Sequence, residues 1–480
     1  MSTPSKALFF GRFVSTPGPE TLLIQNGAIL VSNTNGRGVI EKVDWTVNSI
    51  AEAVGKWNLA QDQTLFKSTE DGFYFPGFID THIHASQYPN AGIFGKSTLL
   101  DWLTTYTFPL EASLGGHGPL AQASANDHEQ NGDVHPAKRQ KLDHLHRATT
   151  VYNKIVSRTL SHGTTTASYF ATISAQATNL LADVAHQHGQ RAYIGRVCMD
   201  HPNTCPDYYR DETPEQSIAN ALSSIKHIQT LDPEGELVAP IVTPRFAPSC
   251  QDETLHKLGQ LAQERNLRVQ THISENKGEI ELVKHLFPER ASYTDVYDHA
   301  GLLTDRTILA HGIHLSDEEI STIRARKSKI SHCPASNSAI GSGFCPVRKL
   351  LESGVDVSLG TDVSGGYSVS MLESVRQACL VSRQLGYLNG GDKKWNIGDI
   401  EGLWLATVGG AKCVGMAGRF GGFEEGMLFD VQEIDLTNGP VDIFGWETWE
   451  EKVDKWVWNG DDRNVKRVWV GGRLVHEKSA

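Results

Sequence analysis

A chain of 480 residues can fold as several small domains or as one large barrel with an attachment. With 39% hydrophobic and 21% charged residues, it has enough apolar material for a substantial core beneath a soluble surface. A formal charge of −12, spread without acidic blocks, argues against a phosphate-binding surface, so neither nucleic acid nor a membrane is an expected partner. The cysteines at 198, 205, 250, 333, 345, 379 and 413 are odd in number and never form a C-x-x-C pair, which fits neither a disulfide framework nor a zinc finger. No basic leader followed by an apolar core opens the sequence, and no run is long enough to span a bilayer. A reducing, cytoplasmic setting is the expectation.

Residues 1–75 alternate short β-rich pieces with Pro/Gly and Asn/Gly turns. Examples are Ala7-Leu-Phe-Phe, Leu22-Leu-Ile-Gln and Ala28-Ile-Leu-Val, and no helical period starts before about Ser49. The far end has the same texture, in Met427-Leu-Phe-Asp-Val-Gln and in two β-branched runs around Gly471-Gly472 that predict a hairpin. Residues 1–75 and 415–480 are therefore expected to build one small, discontinuous β-sandwich.

The middle, residues 76–414, alternates eight strand candidates with amphipathic helical stretches. The strands are predicted at 74–84, 163–170, 191–199, 237–246, 268–274, 307–311, 329–333 and 355–361, with helices such as 177–188, 254–265 and 317–326 between them. Eight β-α units predict an α/β chain folded as a (β/α)8 TIM barrel, ahead of an open doubly wound sheet. No G-x-G-x-x-G follows an early strand, which weakens the dinucleotide-binding alternative. Residues 117–142, almost free of large apolar side chains, predict a mobile surface insertion. Its histidines 117, 128 and 135 are left out of any metal site, because a segment that cannot pack cannot preorganise ligands.

Chemistry in a barrel gathers at the C-terminal ends of the strands. The first strand ends in His82 and His84, whose i, i+2 spacing sends both imidazoles to one face. His144/His146 and His186/His188 share that spacing but fall in helical segments, where the two rings diverge by about 200°. Strand four ends in Arg245-Phe246, strand five in His272 with Glu275 beyond, strand six in His311, strand seven in His332 and strand eight in Asp362. Taken singly, a strand-end histidine is often a structural hydrogen-bonding residue, and Asp362 could cap the next helix. Together at one mouth they suit zinc, with iron or another divalent ion as alternatives. Such a metal lowers the pKa of a bound water towards about 7. Glu275, free of metal duty, is placed to shuttle the proton, and Asp362 to bind the metal or orient its water.

Several motifs carry a resemblance. Pro76-Gly-Phe-Ile-Asp-Thr-His-Ile-His84, Thr271-His-Ile-Ser-Glu275, Ala310-His-Gly and Leu359-Gly-Thr-Asp362 resemble the amidohydrolase superfamily, in its mononuclear deaminase branch. His84-Ala-Ser-Gln-Tyr88, Asp101-Trp-Leu-Thr-Thr-Tyr-Thr-Phe-Pro109, Pro244-Arg-Phe-Ala247, His332-Cys-Pro-Ala-Ser-Asn337 and Gly360-Thr-Asp-Val-Ser-Gly-Gly-Tyr367 are similar, more narrowly, to the guanine deaminase family. The likeness covers most of the chain; residues 117–142 depart from it.

The resemblance implies one zinc ion per subunit, held by His82, His84, His272, His311 and Asp362. It implies catalysis by Glu275, Asp362 and His311, with purine binding by Gln87, Arg245 and Phe246 alongside His272, Glu275 and Asp362. The reaction implied is hydrolysis of guanine to xanthine and ammonia, in a homodimer. Two alternatives remain: a related amidohydrolase acting on another amino- or chloro-substituted heterocycle, and a non-catalytic scaffold. A cytidine-type zinc deaminase is excluded, since it needs a Pro-Cys-x-x-Cys run that this chain lacks.

Overall fold

The computed structural model describes residues 6–34, 37–59, 64–121 and 144–478. Five strands open the chain: β1 (Lys6–Gly18), β2 (Thr21–Thr34), β3 (Arg37–Asp44), β4 (Thr64–Lys67) and β5 (Gly72–Pro76). Nine more form the middle: β6 (Phe78–His84), β7 (Thr164–Phe170), β8 (Arg191–Gly195), β9 (Val197–Cys198), β10 (Val238–Pro244), β11 (Arg268–Ile273), β12 (Thr307–His311), β13 (Lys329–His332) and β14 (Val357–Leu359). The last three are β15 (Val431–Asp435), β16 (Val465–Val470) and β17 (Arg473–Glu477).

The two chain ends meet in one sheet of order β17-β16-β15-β5-β1-β2-β3, with β4 beside β1. By hydrogen bonding it is a single sheet that folds over itself. Phe9, Phe13, Ile29, Ile40, Tyr74 and Trp469, from five of its strands, share one buried core. The β3 edge returns to the far end of the chain, where Ile40 N donates to Met427 O at 2.8 Å and Gly38 N to Gly471 O at 2.7 Å. That approach requires glycine, because a Cβ on Gly38 would stand 2.5 Å from the Gly471 oxygen. Beyond the core, Phe73, Phe75 and Trp456 pack with Phe78 and the strands of the middle, so the sheet is seated on the barrel rather than tethered to it.

The middle is the expected barrel, with strand order β14-β13-β12-β11-β10-β8-β7-β6 and β9 paired to β10. All its pairings are parallel. The ring closes between its first and last strands. Thr81 Oγ1 lies 2.6 Å from Ser331 Oγ and 2.7 Å from Ser358 Oγ. Just beyond, Asp362 N donates to His82 O at 2.8 Å and His84 N to Val363 O at 3.0 Å. The outer helices begin where a side chain can cap them: Ser174 before Ala175–His188, Thr213 before Pro214–Leu231 and Ser316 before Asp317–Ala325. Each turns an apolar stripe inward, as Leu255, Leu258 and Leu261 do on Asp252–Glu264.

Three local expectations change. The predicted strand 74–84 is two strands, β5 in the terminal sheet and β6 in the barrel, because Gly77 lets the chain cross from one to the other and donates its N–H to Asp430 O. The predicted strand 191–199 breaks at Arg196, whose guanidinium pairs with buried Asp211. The C-terminal segment also holds a helix, Trp449–Asn459, set by a Thr448–Glu451 capping box and by Val453, Trp456 and Val457 on its buried face. Of the insertion predicted at 117–142, residues 122–142 lie outside the described residues. Among the described residues no helix is long and apolar enough to cross a membrane, and all seven cysteines are buried and unpaired.

Candidate metal centre and purine pocket

The first barrel strand carries the site because it is irregular. Opposite β7, Asp80 pairs with Ala167 but Ile83 pairs with Tyr169, so β6 holds one extra residue at Thr81–His82. Such a bulge re-aims side chains, and here it brings the His82 and His84 rings to 5.0 Å between centroids. Asp80, fully buried, secures the bulge by accepting from His82 N at 3.2 Å and from Thr361 N at 3.0 Å. That one carboxylate ties the first strand's metal end to the last strand's.

Four ligand atoms, one each from His82, His84, His272 and Asp362, lie within 4.8 Å of one another. Asp362 Oδ1 stands 3.2 Å from His82 Nε2 and 3.3 Å from His84 Nε2, while His84 Nε2 faces His272 Nε2 at 3.1 Å. Burial pushes His82 down, His84 down to about 4 and His272 well down, which leaves the imidazoles neutral with lone pairs available. Burial opposes the charge on Asp362, but His82, His84 and His311 hold it well below the usual carboxylate range. Buried His82 Nε2 has no hydrogen-bond partner among the described residues. Neutral nitrogens and one anionic oxygen, converging without enough protons to satisfy one another, are the donor set of a divalent cation.

His311 stands beside these four rather than among them. Its Nδ1 is 2.8 Å from Asn337 Oδ1, and its Nε2 faces Glu275 Oε2 at 3.4 Å and Asp362 Oδ2 at 3.8 Å. His332, the other strand-end histidine, is buried and pushed down to about 3, yet lines no part of the cavity. The helical pairs His144/His146 and His186/His188 are on the barrel's outer helices, as their period predicts. Three residues at this mouth, Ser274, His311 and Asp362, hold left-handed backbones with φ of 48°, 74° and 48°. Such conformations cost about 1–3 kcal/mol each and concentrate at functional sites.

Beside the cluster, a cavity is lined by Gln87, Arg245, Phe246, Glu275 and Glu279, with Leu99, Trp102, Leu103 and Ile340 as its apolar side. Gln87 arrives on the short 3₁₀ turn Ala85–Asn90 that directly follows His84. Arg245 and Phe246 follow β10, with the Phe246 ring 6.4 Å from that of His272. Every sequence-predicted purine-binding residue therefore borders one cavity.

Glu275 is buried, and its carboxylate accepts from Ser342 Oγ at 2.9 Å. Burial and the charge of Asp362 push it up to about 8. Glu279, one turn on, was not anticipated. It accepts from Glu275 N at 2.9 Å and Tyr293 Oη at 2.8 Å, and burial pushes it up to about 7. Its signal was present as the capping partner of Asn276. Because its folded value lies above the ordinary 4.5, its stabilising contribution is full below about 4.5 and is lost as pH rises through about 7. Glu279→Gln should therefore gain about 3 kcal/mol on the parent between pH 5 and pH 8, read by denaturant unfolding at equal metal content. A constant difference across that range would contradict the titration.

Glu111 was also missed. It lies two residues past the Asp101–Pro109 motif, on Phe108–Leu114, and pairs with Arg245 at 2.7 Å. A lone glutamate in an apolar helical turn was the available signal.

Residues 73–475 match the Amidohydrolase family. The chain is 46% identical over 471 residues to a probable guanine deaminase of Schizosaccharomyces pombe, covering 98% of this chain and 83% of that one. It is 41% identical over 409 residues to the guanine deaminase of Homo sapiens, covering 84% and 83% respectively. The crystal structure of a guanine deaminase from C. acetobutylicum with bound guanine in the active site superposes with a TM-score of 0.82 at 31% identity, over 98% of this chain and all of that one. A family match of this extent, shared with relatives that are more than 40% identical over most of their length, makes the chain a member of the amidohydrolase family.

Proposed function

We propose that this protein hydrolyses guanine to xanthine and ammonia. The observation that carries the reading is one cavity with two chemically distinct sides: the His82, His84, His272 and Asp362 cluster on one, and Gln87, Arg245 and Phe246 on the other. Relatives named guanine deaminase, and a structural neighbour with guanine in its active site, support it.

Arg245 donates to the carbonyl oxygen at purine position 6, Gln87 reads a ring edge with its amide, and Phe246 offers an apolar face. A zinc ion held by His82, His84, His272 and Asp362 would lower the pKa of water towards about 7 at this mouth. Glu275 takes the proton of the attacking water and protonates the ring nitrogen next to C2. His311 and Asp362 orient the water and steady the tetrahedral centre. Glu275 then takes the second proton of the former water, from the hydroxyl on C2, and passes it to the departing amine, so that C2 becomes a carbonyl and water and guanine leave as xanthine and ammonia. Adenine presents an amino group where Arg245 needs an acceptor, a mismatch that costs about 10⁴-fold in comparable sites.

The test is turnover of guanine by purified protein, with adenine, 8-oxoguanine and triazines in parallel and a chelator in one arm. Xanthine and ammonia from guanine alone, abolished by the chelator, are expected. Faster turnover of another heterocycle, or metal-free protein inert toward all of them, would overturn the reading.

A further inference from the structure

Glu111 is completely buried and borders no part of the cavity, yet two of the polar residues assigned to the purine, Gln87 and Arg245, both end on it. Arg245 Nη1 donates to its Oε2 at 2.7 Å and Nη2 to its Oε1 at 3.3 Å. Gln87 Nε2 donates to Oε1 at 2.8 Å, and Tyr209 Oη donates to Oε2. A carboxylate has room for about four such bonds, so all its positions are filled. Burial works against its charge, but Arg245 and these hydrogen bonds hold it below the ordinary glutamate range.

We propose that Glu111 is the positioning residue that sets the pocket's specificity, cancelling the charge of Arg245 and fixing the orientation of Gln87 so that the site takes a neutral carbonyl-bearing purine and refuses an anionic one. The proposal rests on the guanine reading above. A buried guanidinium with no counter-charge is an anion trap, since its fork matches a carboxylate better than a neutral carbonyl. Paired two-to-two with Glu111, Arg245 adds no net charge to the cavity and keeps donors for a neutral oxygen.

The same carboxylate decides how Gln87 faces. Glu111 only accepts, so the amide nitrogen must point to it and the amide oxygen away, where Ser364 N donates to it at 3.3 Å. One residue beyond reach of the substrate thus sets the hydrogen-bonding polarity of both groups that read it. Tyr209, itself buried and 3.0 Å from Thr172 Oγ1, anchors the carboxylate from behind.

The experiment compares metal-loaded parent and Glu111→Gln protein in metal content, in kcat and KM for guanine, and in calorimetric affinity for purine-6-carboxylate, which carries an anion where guanine carries its oxygen. Expected are unchanged metal, a guanine KM raised about tenfold or more with a smaller change in kcat, and purine-6-carboxylate bound about tenfold more tightly. These opposite signs separate the proposal from general damage, which weakens both ligands. Weaker binding of purine-6-carboxylate, or an unchanged KM, overturns it. If Glu111→Gln fails to fold, Arg245→Gln is compared with the uncharged double variant Glu111→Gln/Arg245→Gln: a further rise in guanine KM in the double variant, from the freed Gln87 amide, supports the proposal, and equal KM values overturn it. Parent protein inert toward guanine would defeat the parent reading alone, because the change in carboxylate affinity is measured without turnover.

Discussion

Glu275→Gln is expected to lower guanine turnover by at least about 10²-fold while metal content and KM stay close to those of the parent. Gln preserves the volume of the side chain and the bond from Ser342 Oγ, so the cavity wall should be kept. What it removes is the exchangeable proton. Glu275 Oε2 stands 3.4 Å from His311 Nε2, at the edge of the metal cluster and on the wall of the purine cavity. Its carboxyl, pushed up to about 8 by burial and by Asp362, is close to neutrality, where a group can both take and return a proton. Steady-state kinetics with metal analysis of the same preparation check this. A metal-replete variant with parental kcat would remove Glu275 from the mechanism.

Asp362→Asn should have a larger effect still, with metal affinity down by at least about 10²-fold and guanine turnover lost at stoichiometric metal. Asp362 contributes the only negative charge of the four-residue cluster, and its Oδ1 is shared between His82 and His84 at 3.2 and 3.3 Å. The choice of Asn matters. Position 362 has φ of 48°, a left-handed backbone that Asn tolerates about as well as Asp, so the substitution removes charge without forcing the strand end to rearrange. Circular dichroism should be unchanged while metal analysis and activity fall together. Retention of metal at the parental level would mean that the three histidines hold it unaided.

How much of this was legible depended on how local the signal was. His82 and His84 are two residues apart in a strand, and their order with His272 and Asp362 along eight β-α units is enough to place them at one mouth. The strand end at Arg245-Phe246 and the loop position of Gln87 were likewise within reach of pattern and resemblance. The rest depends on contacts far apart in the chain. The extra residue at Thr81–His82 shows only against β7, because a bulge is a mismatch between two strands and not a property of either. The place of His311 beside the four-residue group depends on Asn337, which takes its Nδ1, and leaves its Nε2 facing Glu275 at 3.4 Å and Asp362 at 3.8 Å. Glu111 looks, in sequence, like one acid in an apolar turn; its partners come from positions 87, 209 and 245. The split of 74–84 into two strands was hidden for a similar reason, since an unbroken apolar run does not say which of two sheets each half will join.

The seam of the barrel has a consequence for how the molecule comes into being. Asp80 accepts from Thr361 N across 281 residues of chain, and the backbone bonds between His82 and Asp362 sit at the same place. The ribosome therefore delivers the first half of the site long before the second, and for most of synthesis the β6 edge has no partner on that side. Contacts of such separation form late and slowly, after loop closure has been overcome. The terminal sheet repeats the delay, with β5 waiting for β15. No nascent chain that stops short of Asp362 can own a finished mouth, so catalytic competence arrives only with the closing of the ring.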